Sequence, residues 1–309
     1  MDMNSQEQVA GKFLIVDGHA YAYRAFFAIR RLNAPDGKPT NAIYGFIKML
    51  TKMQDWIQPT HQIVLWDGGL AEQRLSLLPE YKAQRVEMPS DLEQQLDEIT
   101  AYLRAANVTS WCEKGIEADD LIATVAKCAV QSNLSVVIAS ADKDFLQLVS
   151  PRVSLLNPND KSEVVWDERR VLEKTGVKPE QIVDWLSLMG DSVDNIPGVT
   201  GVGPKTATEL LKQFGNNEEL YRRLPEVKSE RLRGNLAAAT QHVERNRSLI
   251  RLHADLPCDF DLEKLCFRSG DVKNLQELFA RWGFRGMLSD LEKEQTRQTD
   301  LFGEIKFEK

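Results

Sequence analysis

Three short apolar runs punctuate the first half of the chain, Phe13-Leu-Ile-Val16, Gln62-Ile-Val-Leu-Trp66 and Ser135-Val-Val-Ile-Ala139. Each is bounded by turn residues and lacks polar alternation, so each predicts a strand covered on both faces, as in a parallel sheet. Between them the apolar spacing lengthens to a helical period. Ile43, Phe46, Ile47, Leu50 and Met53 form one such stripe within residues 40–56, and Leu121, Ile122, Val125 and Ala129 form another within 118–130. The alternation predicts a doubly wound α/β region up to about residue 176. Beyond Gly176 the strand-like runs stop, and helical segments at 182–189, 204–214, 236–249 and 272–282 are parted by Gly and Pro. A second, all-helical region is expected there, up to about residue 290. Residues 291–309 are polar and aperiodic, which predicts a flexible tail.

The 309 residues suit one large or two smaller domains, and 42% hydrophobic with 28% charged residues excludes a disordered or fibrous chain. No stretch approaches the roughly 18–20 apolar residues of a membrane span. The first residues form neither the basic nor the apolar part of a secretion signal, so a cytoplasmic protein without a membrane partner is expected. Cys112, Cys128, Cys258 and Cys266 include no CxxC pair, which argues against a zinc site or a disulfide framework and for reduced thiols. A net charge of −7 would disfavour a nucleic-acid partner if charge were evenly spread. Its distribution matters more than its sum.

Asp17 follows the first apolar run, Asp67 the second, and Asp142 and Asp144 the third. In an open parallel sheet these strand ends share one edge. Glu117, Asp119 and Asp120 stand at the start of the helix preceding the third run. Taken singly, each acid has an ordinary explanation in an Asp-Gly turn or a helix dipole. Seven carboxylates converging on one edge repel unless cations neutralise them, and an all-oxygen set suits Mg²⁺ or Mn²⁺. The set exceeds the needs of one Mg²⁺. It points to two ions about 3.5–4 Å apart, as in phosphoryl-transfer nucleases.

Residues 190–207 read Gly-Asp-Ser-Val-Asp-Asn-Ile-Pro-Gly-Val-Thr-Gly-Val-Gly-Pro-Lys-Thr-Ala. Gly198, Gly201 and Gly203 permit a tight hairpin, and Pro204 suits a first helical position. The exposed N–H groups of that helix start, beside Lys205 and Thr206, would form a phosphate site. A glycine-rich interhelical turn is the plainer reading, but Gly-Val-Gly-Pro-Lys before a helix is the more specific helix-hairpin-helix form. Residues 205–251 hold ten basic side chains against six acidic ones, a pattern that either binds DNA or forms a solvated face. The stretch after Asp67 is long for a strand-to-helix connection and carries Arg74, Tyr81, Lys82 and Arg85. Such residues can stack a base and offset phosphate charge, or decorate a surface excursion.

Val16-Asp-Gly-His-Ala-Tyr-Ala-Tyr-Arg24, Tyr44-Gly-Phe46, Pro79-Glu-Tyr-Lys-Ala-Gln-Arg85, Gly115-Ile-Glu-Ala-Asp-Asp120, Ala141-Asp-Lys-Asp144 and the 190–207 run together resemble the 5′ nuclease (flap endonuclease) family. The likeness extends from about Lys12 to about Leu291, and it is to the standalone form of the 5′-to-3′ exonuclease domain of bacterial DNA polymerase I. The resemblance implies a PIN/resolvase-like α/β nuclease domain over residues 1–176 with a helical arch at about 70–92. An all-helical helix-hairpin-helix (H3TH) DNA-binding region would follow over 177–290. It implies two Mg²⁺ or Mn²⁺ ions, the first held by Asp17, Asp67, Glu117 and Asp119 and the second by Asp142, Asp144, Asp191 and Asp194, with Asp120 in the same acidic motif. Arg24, Lys82 and Arg85 would act on the scissile phosphate, Tyr81 would stack on a terminal base and Arg74 would grip the strand. Gly198, Gly201, Gly203, Lys205 and Thr206 would contact DNA. A K⁺ ion would sit on the carbonyls of Leu188, Met189, Pro197, Val199 and Val202. The chain departs from the family at Gly68-Gly69, where relatives commonly have Ala-Lys, and at Arg30-Arg31, which replaces a more apolar pair.

The function expected is a monomeric, metal-dependent 5′-to-3′ exonuclease and flap endonuclease of replication and repair. Its substrate would be DNA with a 5′ flap or a 5′ end at a junction of single and double strands. A catalytically weak DNA-binding or clamp-tethered scaffold is the alternative, disfavoured by the complete acid set, and an RNA nuclease is disfavoured by the hairpin. In the tail, Gln298-Thr-Asp-Leu-Phe302 resembles the peptide by which bacterial proteins bind the sliding clamp, with Gln298, Leu301 and Phe302 as anchors. A chance five-residue match is the other reading.

Overall fold

The computed structural model describes residues 9–158, 164–258 and 260–303. Five strands form one sheet: β1 (Gly11–Asp17), β2 (His61–Trp66), β3 (Ser110–Cys112), β4 (Leu134–Ala139) and β5 (Val153–Leu156), in the order β3-β2-β1-β4-β5. β1 runs parallel to both β2 and β4, and β4 runs parallel to β5. The three apolar runs are the three central strands. Phe13, Leu14 and Ile15 of β1 are fully buried although successive side chains point to opposite faces, as a sheet covered on both sides requires. Register sets the working edge: Asp17 lies opposite Leu65 and Val16 opposite Ala139. The segments leaving β1, β2 and β4 therefore emerge side by side.

The helices are α1 (Gly18–Ala28), α2 (Asn41–Ile57), α3 (Glu72–Leu77), α4 (Ser90–Ala105), α5 (Ala118–Gln131), α6 (Glu168–Thr175), α7 (Ile182–Met189), α8 (Pro204–Phe214), α9 (Asn217–Arg222), α10 (Glu230–Ala238), α11 (Thr240–Ile250), α12 (Leu262–Leu265), α13 (Val272–Trp282) and α14 (Arg285–Gly303). A two-stranded hairpin, β6 (Gly190–Asp191) and β7 (Ile196–Pro197), follows α7. By contacts the chain divides into two compact units, each assembled from separated stretches. The first comprises residues 1–18, 59–87 and 111–262, and the second residues 19–58, 88–110 and 263–309. Within the first unit α7 packs on the 3₁₀ turn Lys143–Leu148 that follows β4.

In the first unit α5 lies against β4, β1 and β2 through Leu121, Ile122, Val125 and Ala129. Its N-cap position is Glu117, so the acidic motif stands where the helix begins. The β6–β7 hairpin folds back so tightly that a methyl group on Gly198 would lie 2.2 Å from the Met189 carbonyl oxygen. The expected helix does begin at Pro204, after Gly203.

In the second unit the buried stripe Ile43, Phe46, Ile47, Leu50 and Met53 of α2 faces a helix pair with α4. Thr40 makes no side-chain cap. Gln95 of α4, 1% exposed, accepts instead from the Ala42 and Ile43 amides at 2.8 and 3.3 Å. The stretch expected as a tail continues as α14 to Gly303; the side chains of Gln298, Leu301 and Phe302 lie outside the described residues. No helix among the described residues is long and apolar enough to cross a membrane.

Candidate active site

Asp17 closes β1, and its Oδ2 accepts a hydrogen bond of 2.8 Å from the Ser140 hydroxyl. Ser140 Oγ also accepts the Asp142 amide at 3.1 Å, so one fully buried hydroxyl ties together the ends of β1 and β4. Asp142 in turn caps the 3₁₀ turn, accepting the Asp144 amide at 2.9 Å and turning Asp144 inward. Asp191 and Asp194 come from the β6–β7 hairpin, where Asp191 Oδ1 accepts the Val193 amide at 2.9 Å. Asp144, Asp191 and Asp194 are buried with ligand oxygens all within 4.8 Å of one another. Asp144 Oδ1 is buried with no hydrogen-bond partner among the described residues. An orphaned acceptor in an all-oxygen cluster fits a divalent cation. Asp67 leaves β2 and accepts the Gly69 amide at 2.8 Å.

Three cations of the long connection enter this acidic edge. Arg74 is 3% exposed, and its fork meets both oxygens of Asp120 at 2.7 and 2.8 Å, with Glu117 at 3.1 Å and the Leu249 carbonyl at 3.0 Å. Arg74 is thus turned inward, and both Asp120 oxygens meet its fork, Oδ1 accepting the His253 amide as well at 2.9 Å. Lys82 is also buried, paired with Glu117 and lying 3.8 and 3.9 Å from Asp119 and Asp194. Its backbone is left-handed, φ 55°, and its amide donates to the Asp194 carbonyl at 3.0 Å. Tyr81, expected to stack on a base, is 3% exposed, its hydroxyl 3.2 Å from Glu117 and 3.3 Å from Asp194. The physical reason is common to all three: buried carboxylates draw in whatever donors the adjoining segment offers. Arg85 remains partly exposed and reaches Asp194 at 3.2 Å.

Charge is therefore shared unequally. Burial works to raise the Glu117 carboxyl, but the Lys82 and Arg74 cations outweigh it and hold it below the usual range. Burial and the neighbouring charges of Asp142, Asp17 and Glu117 push Asp119 well above that range against the pull of Lys82. Asp144 is likewise pushed well up by burial and then by Asp142, Asp194, Asp119 and Asp191. Burial raises Asp142 as well, opposed by the Asp144 amide and reinforced by Asp194 and Asp191. The site is poised to exchange protons for a cation.

Sequence reasoning missed Ser140 and Lys143, whose ammonium sits 3.1 Å from Asp191. Only their spacing from Asp142, at the end of a central strand, could have drawn attention to them. Gly68 is explained by the structure. Its amide donates to the Ile116 carbonyl at 3.0 Å, its carbonyl accepts from Gly115 at 2.8 Å, and an added methyl would lie 1.7 Å from the Glu113 oxygen. The pairing fixes the loop that delivers Glu117 and leaves no room for Ala.

Lys205 is exposed and Thr206 half-buried on the first turn of α8, and Gly201 and Gly203 are exposed in the preceding turn. The Leu188, Pro197 and Val199 carbonyls accept hydrogen bonds from Val199 N, Asn246 and Val202 N at 2.8, 2.7 and 2.9 Å. Arg24 is exposed on α1 in the second unit.

Arg74→Met should lower unfolding stability by about 3–5 kcal/mol, because it strands two buried carboxylates; urea denaturation measures this, and an effect near zero would refute the pairing. The raised carboxyls of Asp119, Asp142 and Asp144 carry a second consequence. Their contribution to stability is complete below ordinary carboxylate values and is lost as pH rises through the raised ones, whereas that of Glu117 is present above its ordinary value and lost as pH falls through its lowered one. Metal uptake at a pH below those raised values should accordingly release protons, so calorimetric binding enthalpies should differ between buffers of different ionisation enthalpy; identical enthalpies would mean the acids are already ionised.

Residues 12–176 match the family model described as the 5′-3′ exonuclease N-terminal resolvase-like domain, and residues 177–273 match that of the 5′-3′ exonuclease C-terminal SAM fold. The chain is 36% identical over 291 residues to the 5′-3′ exonuclease of Aquifex aeolicus, covering 93% of this chain and 98% of that one. It is 35% identical to the DNA polymerase I of Bacillus caldotenax over 96% of its own length, and spans about a third (34%) of that protein. Among solved structures, T5 5′-exonuclease with bound divalent metal ions (zinc) is similar, with a TM-score of 0.66 and 28% identity, covering 78% of this chain and 90% of that one. The catalytic core of Rad2 in complex with DNA substrate shares the fold at a TM-score of 0.61 and 17% identity, covering 88% of this chain and 87% of that one. With the two models back to back and one relative matched along nearly all its length, the chain belongs to the 5′-3′ exonuclease family and is a metal-dependent phosphodiester hydrolase.

Proposed function

We propose that this protein is a structure-specific 5′ nuclease of replication and repair, cutting DNA at a 5′ flap or at a 5′ end where single strand meets duplex. The observation that carries the reading is the buried trio Asp144, Asp191 and Asp194, with one oxygen unpartnered among the described residues, joined by Asp17, Asp67 and Asp142 from strand ends and by Glu117 and Asp119 from the start of α5. Asp17, Asp67, Glu117 and Asp119 would hold one Mg²⁺ or Mn²⁺, and Asp142, Asp144, Asp191 and Asp194 the other. Bound there, two ions would supply water activation and charge neutralisation at the departing 3′ oxygen.

The chain's own groups do the rest. Ser140 keeps the Asp17 carboxylate oriented, and Arg74 holds Asp120 beneath Glu117. Lys82, a point charge on a flexible stem, exchanges its carboxylate partners for the scissile phosphate, joined by Arg85 and Arg24. Tyr81 meets a terminal base only after leaving its two carboxylate partners. Residues 1–176 carry this chemistry together with Asp191 and Asp194, and the rest of residues 177–290 grips the duplex. In that second part the start of α8, with Gly198, Gly201, Gly203, Lys205 and Thr206, receives phosphates, and the carbonyls of Leu188, Met189, Pro197, Val199 and Val202 would hold K⁺. Gln298, Leu301 and Phe302 dock a sliding clamp, and the protein acts as a monomer.

A 5′-labelled flap duplex and a matched single strand, each with Mg²⁺ and with chelator, test the reading. Metal-dependent cutting near the junction is expected, with the single strand largely spared; tight flap binding without cutting would favour the scaffold. Asp142→Ala with Asp144→Ala should reduce cleavage by more than about 100-fold, since disturbing even the outer partners of a metal site costs 10–100-fold, while flap affinity in Ca²⁺ stays nearly unchanged. Deleting residues 298–302 should abolish clamp binding in surface plasmon resonance and leave naked-flap cleavage intact; unaltered clamp affinity would dispose of the clamp assignment.

A further inference from the structure

Cys128 and Cys258 stand 130 residues apart in the chain with their sulfurs 3.9 Å from each other, both half-buried in the first unit. They are the last step of a regular series. Asp120, Thr124 and Cys128 follow at intervals of four along one face of α5. The segment 251–258, which leaves α11, runs along that face. Asp120 Oδ1 accepts the His253 amide at 2.9 Å, and Thr124 Oγ1 donates to the His253 carbonyl and accepts the Leu256 amide, both at 3.3 Å. Cys258 then arrives at Cys128. The segment is thus fastened to α5 by side chains of one helix face, and the two sulfurs are the final rung.

We propose that Cys128 and Cys258 form a reversible disulfide that locks segment 251–258 onto α5. A disulfide is about 2.05 Å long, and sulfurs already in van der Waals contact need only side-chain rotation and a small approach to reach it. The oxidant is a small-molecule disulfide such as oxidised glutathione. One cysteine thiolate attacks a sulfur of that disulfide and one small thiolate departs; the second cysteine thiolate attacks the protein sulfur of the mixed disulfide and the other small thiolate departs. Two protein thiols are oxidised, one disulfide is reduced, and the departing thiolates take up the two protons. Cys112 is exposed, with its Sγ 3.6 Å from the Asp67 carbonyl, and Cys266 belongs to the second unit, so each serves as an internal control.

The full chain is equilibrated with oxidised or reduced glutathione, alkylated, digested and analysed by mass spectrometry, with hydrogen exchange measured in parallel. A Cys128–Cys258 peptide pair lighter by two hydrogens is expected on oxidation. It should be lost in Cys128→Ser and separately in Cys258→Ser, and retained in Cys112→Ser and Cys266→Ser. The amides of residues 252–256 should exchange several-fold more slowly when oxidised and recover with dithiothreitol. Full alkylation of both cysteines at every glutathione ratio, persistent mixed disulfides, a cross-link to Cys112 or Cys266, or a bond that leaves exchange unchanged would each overturn the proposal.

Discussion

Mutual repulsion among the carboxylates at the carboxyl ends of β1, β2 and β4 is the constraint around which the first unit is organised. Two like charges 4 Å apart repel by about 4 kcal/mol at the effective dielectric of a protein surface, and this edge brings many such pairs together. A fold can hold them only by distributing compensating charge, and this one does so in grades. Asp120 is neutralised by a guanidinium locked into a fork. Glu117 shares an arginine and a lysine. Asp144 is left with an oxygen unpartnered among the described residues.

That gradation separates scaffold from chemistry. Arg74, planar and always charged, is suited to a permanent bidentate contact, and its bond to the Leu249 carbonyl extends that contact to α11. Lys82 has the opposite character, a compact charge at the end of a rotatable stem. It lies among the carboxylates of Glu117, Asp119 and Asp194, while the loop around it is anchored by backbone and amide bonds from Lys82 to Asp194 and from Asn195 to Glu80. Burial and its acidic neighbours raise the Asp144 carboxyl, whereas the Lys82 and Arg74 cations lower that of Glu117, although both belong to one edge.

What the sequence displayed was determined by local rules. β1, β2 and β4 are unbroken apolar runs because the sheet is covered on both faces, whereas three-residue β3 and the four residues of β5 are too short to carry a period. Acids placed after central strands could be assigned to one edge because parallel pairing forces that convergence. The direction of each side chain could not. Asp119 and Asp120 are neighbours in sequence, yet about 100° apart around a helix, so one joins the cluster and the other meets Arg74. Tyr81 and Lys82 sit in a connection whose composition suggested an exposed arch, and only tertiary electrostatics draws them under. Ser140 became visible once register set the end of β4 beside that of β1.

The interrupted course of the chain through the first unit bears on how the protein is made. β1 is the central strand and is synthesised first, but β4, one of its two partners, follows about 120 residues later, as the span of 123 residues between Asp17 and Ser140 shows. In the interval the polypeptide leaves the first unit and returns to it twice. Parallel pairing over such distances closes long loops before any contact rewards them, which slows folding and prolongs exposure of apolar strand edges. Phe13-Leu-Ile-Val16 emerges early and is enclosed late, and during that wait the nascent chain depends most on whatever shields unpaired strands in the cell.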